Sequence, residues 1–496
     1  MNIGYQKFSV NGSRYLYDTT TNAIVKISET VYRILDDYLI HDAEYILKNY
    51  TVDISYEDLR EALEWLKNAI NLCCMLQPFF PKDFKTILNK SYIKSALASG
   101  IRQMALNITE QCNLRCSYCI YSGIYLSERT HNNFTMTWDI ARRSIDYFVT
   151  HRKKGHKGNI AFYGGEPLIK WNLVKKCIKY IRNYCDPDQL DMNIITNGTL
   201  LNKEIIQTLV DLEVNLYISL DGPRDVHDEY RKYKTGEGTY DHLIKTVKMI
   251  KVNFPQYYQK RIIFNGTFHI KNDILEIADF ANQGLFSNIP FRLNTIKTTD
   301  TDVKLFTEKE YKEHHKRLDI LLDRYLESLF NDNDFPYGLI HHVFGNVFTT
   351  LSTRQVGFSN NCGAPRGICV PGTVRLFVSS DGTFHVCEKF CPPGYDIGNC
   401  KIGIDVDKVR NLLEEVVSMS EELCQKCWAY RLCSHCFIHV LDRGKITIDQ
   451  KRKNCERTKQ KLLKSLERFV YLWERENPDA VNNPNTLHAH VLNNRK

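Results

Sequence analysis

Residues 106–119 read Leu106-Asn-Ile-Thr-Glu-Gln-Cys112-Asn-Leu-Arg-Cys116-Ser-Tyr-Cys119. An apolar run from Met104 to Ile108 leads into three cysteines spaced C-x3-C-x2-C. Iron–sulfur clusters usually take four thiolates, so a tight set of three suits a cubane that keeps one iron open. Three buried free thiols, or part of a zinc site completed from elsewhere, compete with that reading.

Outward from this stretch, residues 102–308 alternate strand and helix patterns. Strands are expected at Met104–Ile108, Ile160–Tyr163, Met192–Ile195, Leu216–Leu220, Ile262–Phe268 and Phe291–Ile296. Helices are expected between them, at Thr137–His151, Asn172–Tyr184, Lys203–Leu212, Tyr240–Asn253 and Asn272–Gly284. Such alternation predicts an α/β fold with a parallel sheet, here a partial (β/α)6 barrel. Unusual residues follow the strand ends: the cysteines, then Gly164-Gly165-Glu166-Pro167, Thr196-Asn197-Gly198 and Asp221-Gly222-Pro223. In parallel barrels the carboxyl ends of strands carry the active site, so these four segments belong on one rim.

Cysteines return late, at 362, 369, 387, 391, 400, 424, 427, 433, 436 and 455. A hairpin is expected between Arg375–Ser379 and Thr383–Cys387, turning at Asp381-Gly382. The paired C-x2-C spacings at Cys424/Cys427 and Cys433/Cys436 suit zinc or a cluster. Between these regions, 309–360 reads as a helical connector. Residues 457–496 read as a basic amphipathic helix followed by an Asn/Pro-rich tail.

Residues 1–80 read as a separate α+β module, winged-helix-like, with three short strands (Tyr5–Val10, Arg14–Asp18, Ala23–Ile27) and then three helices capped by residues such as Ser28 and Ser55. It carries seven Lys/Arg against eleven Asp/Glu, whereas the whole chain is at +8. A structural cap and a peptide-binding module that accepts an added strand fit it equally. Residues 81–101 read as a linker.

The 17 cysteines come without a signal-peptide pattern, which points to reduced thiols and a cytoplasmic, low-oxygen setting. No basic run suggests nucleic acid, and no run of 18 apolar residues suggests a membrane span.

The C-x3-C-x2-C spacing, Tyr118 and the Tyr163-Gly-Gly-Glu-Pro segment together resemble the radical S-adenosylmethionine (SAM) enzymes. The carboxyl-terminal cysteines resemble the SPASM extension of that superfamily; Cys433-x2-Cys436 is one residue shorter than the usual spacing. The segment Tyr15 to Ser28 resembles the leader-recognition domain of maturases acting on ribosomally made peptides. The resemblance implies three [4Fe-4S] clusters: one on Cys112, Cys116 and Cys119, one on Cys362, Cys369, Cys387 and Cys436, and one on Cys424, Cys427, Cys433 and Cys455. It implies SAM chelating the open iron, with Tyr118, Gly164, Gly165 and Glu166 beside the cofactor. Asn197 and Ser219 are placed near the ribose and Arg231 on the carboxylate. Glu388, directly after Cys387, stands where related sulfatase-maturing enzymes have an acidic base.

The implied activity is peptide maturation through a 5′-deoxyadenosyl radical, ending in a cysteine thioether. The implied partners are a short Cys-containing precursor peptide and an electron donor such as a flavodoxin or ferredoxin. Carbon–carbon crosslinking, formylglycine formation and a non-catalytic iron–sulfur peptide-binding scaffold are the alternatives.

Overall fold

A computed structural model describes residues 4–78, 85–125, 129–296, 301, 306–330, 339, 343–344, 350–357, 367–425 and 427–476. Cys362 lies outside the described residues.

The amino-terminal meander β1 (Tyr5–Val10), β2 (Ser13–Asp18) and β3 (Ala23–Ile27) is antiparallel throughout. It is backed by α1 (Glu29–Tyr38), α2 (Ala43–Tyr50) and α3 (Tyr56–Asn71). The helix starts obey side-chain capping: Ser28 Oγ accepts from Val31 N at 3.1 Å and Ser55 Oγ from Asp58 N at 3.1 Å. Leu16, Val25 and Ile27 pack on the helices.

The opposite sheet face is not left to solvent. Phe8, Val10, Tyr15, Tyr17 and Ile24 pack against Leu432, Leu466, Phe469 and Val470. Three of these partners lie on the last helix, Ile448–Glu476. The Tyr15 hydroxyl, fully buried, donates to Glu474 at 2.5 Å. The β2–β3 turn is clamped by polar contacts: Thr19 Oγ1 donates to the Trp428 carbonyl at 2.7 Å, and Arg431 Nη1 to the Thr20 carbonyl at 2.8 Å. A module read as separate is therefore joined to the loop between Cys427 and Cys433.

The expected linker contains a helix, α4 (Lys90–Ala98), which corrects that part of the reading. Its one fully buried side chain, Ile93, gives no periodic signal; Asn89 starts it locally by accepting from Ser91 N at 2.8 Å.

Among the described residues the central sheet has ten strands. β4 (Gln103–Thr109), β5 (Gly158–Gly164), β6 (Leu190–Thr196), β7 (Asn215–Ser219), β8 (Ile262–Phe268) and β9 (Phe291–Thr295) pair in parallel and in chain order. The crossovers carry α5 (Trp138–His151), α6 (Trp171–Arg182), α7 (Lys203–Asp211), α8 (Arg224–Tyr230), α9 (Tyr240–Asn253), α10 (Pro255–Arg261) and α11 (Ile274–Ala281). Two of these helices, α8 and α10, go beyond the expected set; Pro255 opens α10 at its first position, where a missing N–H costs nothing. The sheet remains open, as a partial barrel. Helix α12 (Glu308–Phe330) follows and packs Leu321, Leu322 and Tyr325 into the main core.

The sheet also continues where the sequence suggests a new domain. β10 (Arg375–Val378) pairs in parallel with β4, Phe377 lying beside Ala105. β11 (Thr383–His385), β12 (Gly398–Asn399) and β13 (Gly403–Ile404) extend it antiparallel. The β10–β11 turn needs Gly382 at φ +90°, and a Cβ there would lie 2.7 Å from Cys400 Sγ. Of the late cysteines, the two outside the expected ligand sets, Cys391 and Cys400, are both buried at this sheet. Cys391 Sγ donates to the Cys387 carbonyl at 3.0 Å and packs with Ala105, Ala161 and Phe377.

Replacing Glu474 with Ala leaves the Tyr15 hydroxyl buried without its acceptor, a cost of about 1–3 kcal/mol. Chemical denaturation of the full chain is expected to show that loss, whereas Tyr15→Phe combined with the same change restores most of it.

Candidate active site

The rim expected from sequence forms at the carboxyl ends of β4 to β7. Gly165 N donates to the Thr109 carbonyl at 2.8 Å, and Glu166 N to the Gln111 carbonyl at 2.8 Å. A Cβ on Gly164 would lie 2.3 Å from Thr109 O, and one on Gly165 would lie 2.2 Å from Gln111 O. The two glycines are thus required by the backbone that enters the cysteine loop.

Glu166 is fully buried. Its carboxylate accepts from Leu168 N at 3.0 Å, Thr196 Oγ1 at 2.8 Å and Asn197 N at 2.8 Å. Burial pushes its pKa up to about 7, against the hydrogen bonds, which favour the carboxylate. Asn197 then reaches back: its Nδ2 donates to Asn113 Oδ1 at 2.9 Å and lies 4.0 Å from Cys112 Sγ. Thr199 supports it, donating to Asn197 Oδ1 from N at 3.0 Å and from Oγ1 at 2.7 Å. Ser219 closes β7 and is buried at the same rim.

The three cysteines face one another closely enough to influence each other's charge. Backbone amides already point at two of the sulfurs, Leu114 N to Cys112 Sγ and Tyr121 N to Cys119 Sγ, each at 3.4 Å. Burial pushes the Cys112 thiol up to about 11 and the Cys116 thiol up to about 12.

Arg231 is buried beside them. Its Nε donates to Asp221 Oδ2 at 2.9 Å, and its guanidinium lies 5.5 Å from the Tyr118 ring centroid. Tyr118 donates its hydroxyl to the same Asp221 oxygen, and Thr267 N donates to the other at 2.8 Å. Burial opposes the charge on Arg231; Asp221, Tyr118 and Cys116 outweigh it and hold the guanidinium well above its ordinary value. Arg231, expected on a ligand carboxylate, is therefore also the partner of an acid in this chain. Asp221 was legible only as a strand-end turn residue, and Asn113 and Thr199 gave no signal, because their roles depend on contacts across the rim.

Two further cysteine groups form. Cys369, Cys387 and Cys436 come together at the β10–β11 hairpin, and each thiol is raised by burial. Glu388 pairs with Arg375, and its carbonyl accepts from Arg129 Nη2 at 3.0 Å. Arg129 stacks 4.4 Å from the Phe377 ring and 4.9 Å from the Tyr121 ring, linking this hairpin to the first cysteine loop. Cys424, Cys427, Cys433 and Cys455 line a cavity of about 450 Å³. Among the described residues no three His, Cys, Asp or Glu side chains are drawn together as a metal-ion site. A buried ring nitrogen, His435 Nε2, has no hydrogen-bond partner at this cavity. The donor set and the space fit an iron–sulfur cluster.

Asp221→Asn is expected to cost about 3–5 kcal/mol, because it strands the Arg231 charge. Tyr118→Phe, losing one hydrogen bond, is expected to cost about 1 kcal/mol. Urea denaturation of the two variants checks the contrast.

Residues 106–281 match the model of the Radical SAM superfamily. An uncharacterized protein of Methanocaldococcus jannaschii is 30% identical over 155 residues, 31% of this chain and 50% of that protein. The radical SAM cyclopropyl synthase TigE of Paramaledivibacter caminithermalis is 28% identical over 288 residues, 54% of this chain and 57% of that one. The chain thus spans little more than half the length of these two relatives. The cysteine-type anaerobic sulfatase-maturating enzyme of Clostridium perfringens is 25% identical over 337 residues, 65% of this chain and 84% of that enzyme. The solved structure of native anSMEcpe with bound AdoMet superposes with a TM-score of 0.56 at 19% identity, over 77% of this chain and 100% of that one. Residues 106–281 are therefore a radical SAM domain, set in an α/β fold around a partial parallel sheet.

Proposed function

We propose that the chain is a radical SAM maturase that installs a cysteine thioether in a ribosomally made precursor peptide. One observation carries this reading. The Cys112/Cys116/Cys119 loop shares its sheet with the hairpin bearing Cys387, because β10 pairs with β4, the strand that leads into the loop. A site that makes a radical and a site that can hold a substrate thiolate then belong to one rigid element.

A cluster on Cys112, Cys116 and Cys119 with bound SAM supplies the 5′-deoxyadenosyl radical that abstracts a substrate hydrogen. Gly164, Gly165 and Glu166 fix the cysteine loop, and Asn197 and Ser219 line the edge where the nucleoside sits. Arg231, partnered by Asp221, places positive charge beside Cys116 and would hold the carboxylate of SAM. Cys369, Cys387 and Cys436, with Cys362, would hold a second cluster, which would supply a site for the peptide thiolate and an acceptor for the second electron. Cys424, Cys427, Cys433 and Cys455 hold a third. Glu388, paired with Arg375, accepts the substrate proton.

The precursor's leader adds a strand to the amino-terminal sheet at β3, which among the described strands pairs with β2. Because residues 1–80 are docked on the carboxyl-terminal helix, their deletion disturbs more than binding. Hydrogen exchange is the cleaner test: adding a short Cys-containing precursor peptide is expected to slow amide exchange across Ala23–Ile27. Unchanged exchange there contradicts the leader site.

The chemistry is tested by anaerobic reconstitution with SAM and reductant. The full chain is expected to release 5′-deoxyadenosine, and Cys116→Ala to release none. The same peptide is expected to lose two hydrogens per bond and one alkylatable thiol. Loss of hydrogens with every thiol still alkylatable favours carbon–carbon crosslinking instead, and a new aldehyde favours formylglycine formation. No 5′-deoxyadenosine overturns the enzyme reading.

A further inference from the structure

The short spacing Cys433-Ser-His435-Cys436 puts a histidine between a ligand assigned to one auxiliary site and a ligand assigned to the other. His435 is only 4% exposed and lines the cavity of Cys424, Cys427, Cys433 and Cys455. Its Nδ1 lies 4.0 Å from Cys455 Sγ. Its ring stacks on that of His439, with centroids 4.9 Å apart and planes 16° apart. His439 is itself fixed: its Nδ1 accepts from Cys436 N at 3.0 Å, and its carbonyl accepts from Asn454 Nδ2 at 2.7 Å. The His435 ring is thus held in place from the first auxiliary site and presented to the second.

We propose that His435 donates a hydrogen bond from Nδ1 to Cys455 Sγ and so sets the reduction potential of a cluster on Cys424, Cys427, Cys433 and Cys455. The proposal rests on the reading of that cavity as a cluster site. A ligating thiolate has no proton to give, so at this contact the imidazole is the donor. A donor aimed at a ligand sulfur stabilises the extra negative charge of the reduced cluster, which raises its potential. Two of the cations that line the cavity also have partners of their own. Lys451 donates to Ser420 Oγ at 2.7 Å, and Lys459 pairs with Glu456 at 2.8 Å. His435 is a positioning and tuning residue in this account; it touches no substrate.

The test uses the full chain in a Cys116→Ala, Cys387→Ala background, so that the remaining cluster signal comes from the cavity. His435→Phe and His435→Asn are reconstituted anaerobically, assayed for iron and sulfide, and titrated under paramagnetic resonance. The expected result is unchanged iron in both variants, a midpoint shifted negative in His435→Phe, and partial return in His435→Asn, which keeps a donor near Nδ1. An unchanged midpoint in His435→Phe overturns the proposal. So does loss of the iron in both variants, which makes His435 a ligand or a packing residue. Cys427→Ala in the same background separates the two layers: if it removes no iron, the cluster reading itself fails, whatever His435 does.

Discussion

Everything at the rim depends on one contact that tolerates no side chain. The Gly164-Gly165 turn lies flat on the backbone of Thr109 to Gln111, where an added Cβ would meet carbonyl oxygens at 2.2–2.3 Å. That contact brings Glu166 under the cysteine loop. Glu166 then takes up Thr196 and Asn197 from the next strand, and Asn197 returns to Asn113 and the edge of Cys112. The result is a closed circuit from β4 to β5 to β6 and back to the loop. Buried hydrogen bonds of this kind are costly to leave unmade, so the circuit forms as a unit or not at all.

A second constraint ties the ends of the chain together. The β2–β3 turn is hydrogen-bonded to Trp428 and Arg431, inside the interval from Cys427 to Cys433, and the outer face of the amino-terminal sheet is buried by the last helix. Burial of each such apolar side chain contributes roughly 1.5–3 kcal/mol, enough that the sheet is part of the body of the protein. The segment proposed to recognise a leader is therefore mechanically continuous with a cysteine site proposed to hold a cluster.

Much of this was legible in the residues. Strand–helix alternation predicted the six parallel crossover strands, and Gly, Asn and Asp after their ends predicted the rim. Local signals worked where capping decides, as at Ser28 and Ser55. They failed where tertiary contacts decide. Helix α4 buries one side chain fully, so it reads as a linker, and β10 joins β4 from 272 residues away, which no local pattern reveals. Asp221 illustrates the limit at the site. Next to a glycine and a proline it reads as a turn, yet it is the buried acid that holds Arg231 and Tyr118.

The central claim is that Cys112, Cys116 and Cys119 hold a cluster with one iron open to SAM. Its most direct test is paramagnetic resonance of the reduced, reconstituted chain in a background lacking Cys387 and Cys427. SAM is expected to change the g-values of the remaining signal, and Cys116→Ala to abolish that signal. A signal that persists in Cys116→Ala, or one that SAM leaves unchanged, contradicts the account.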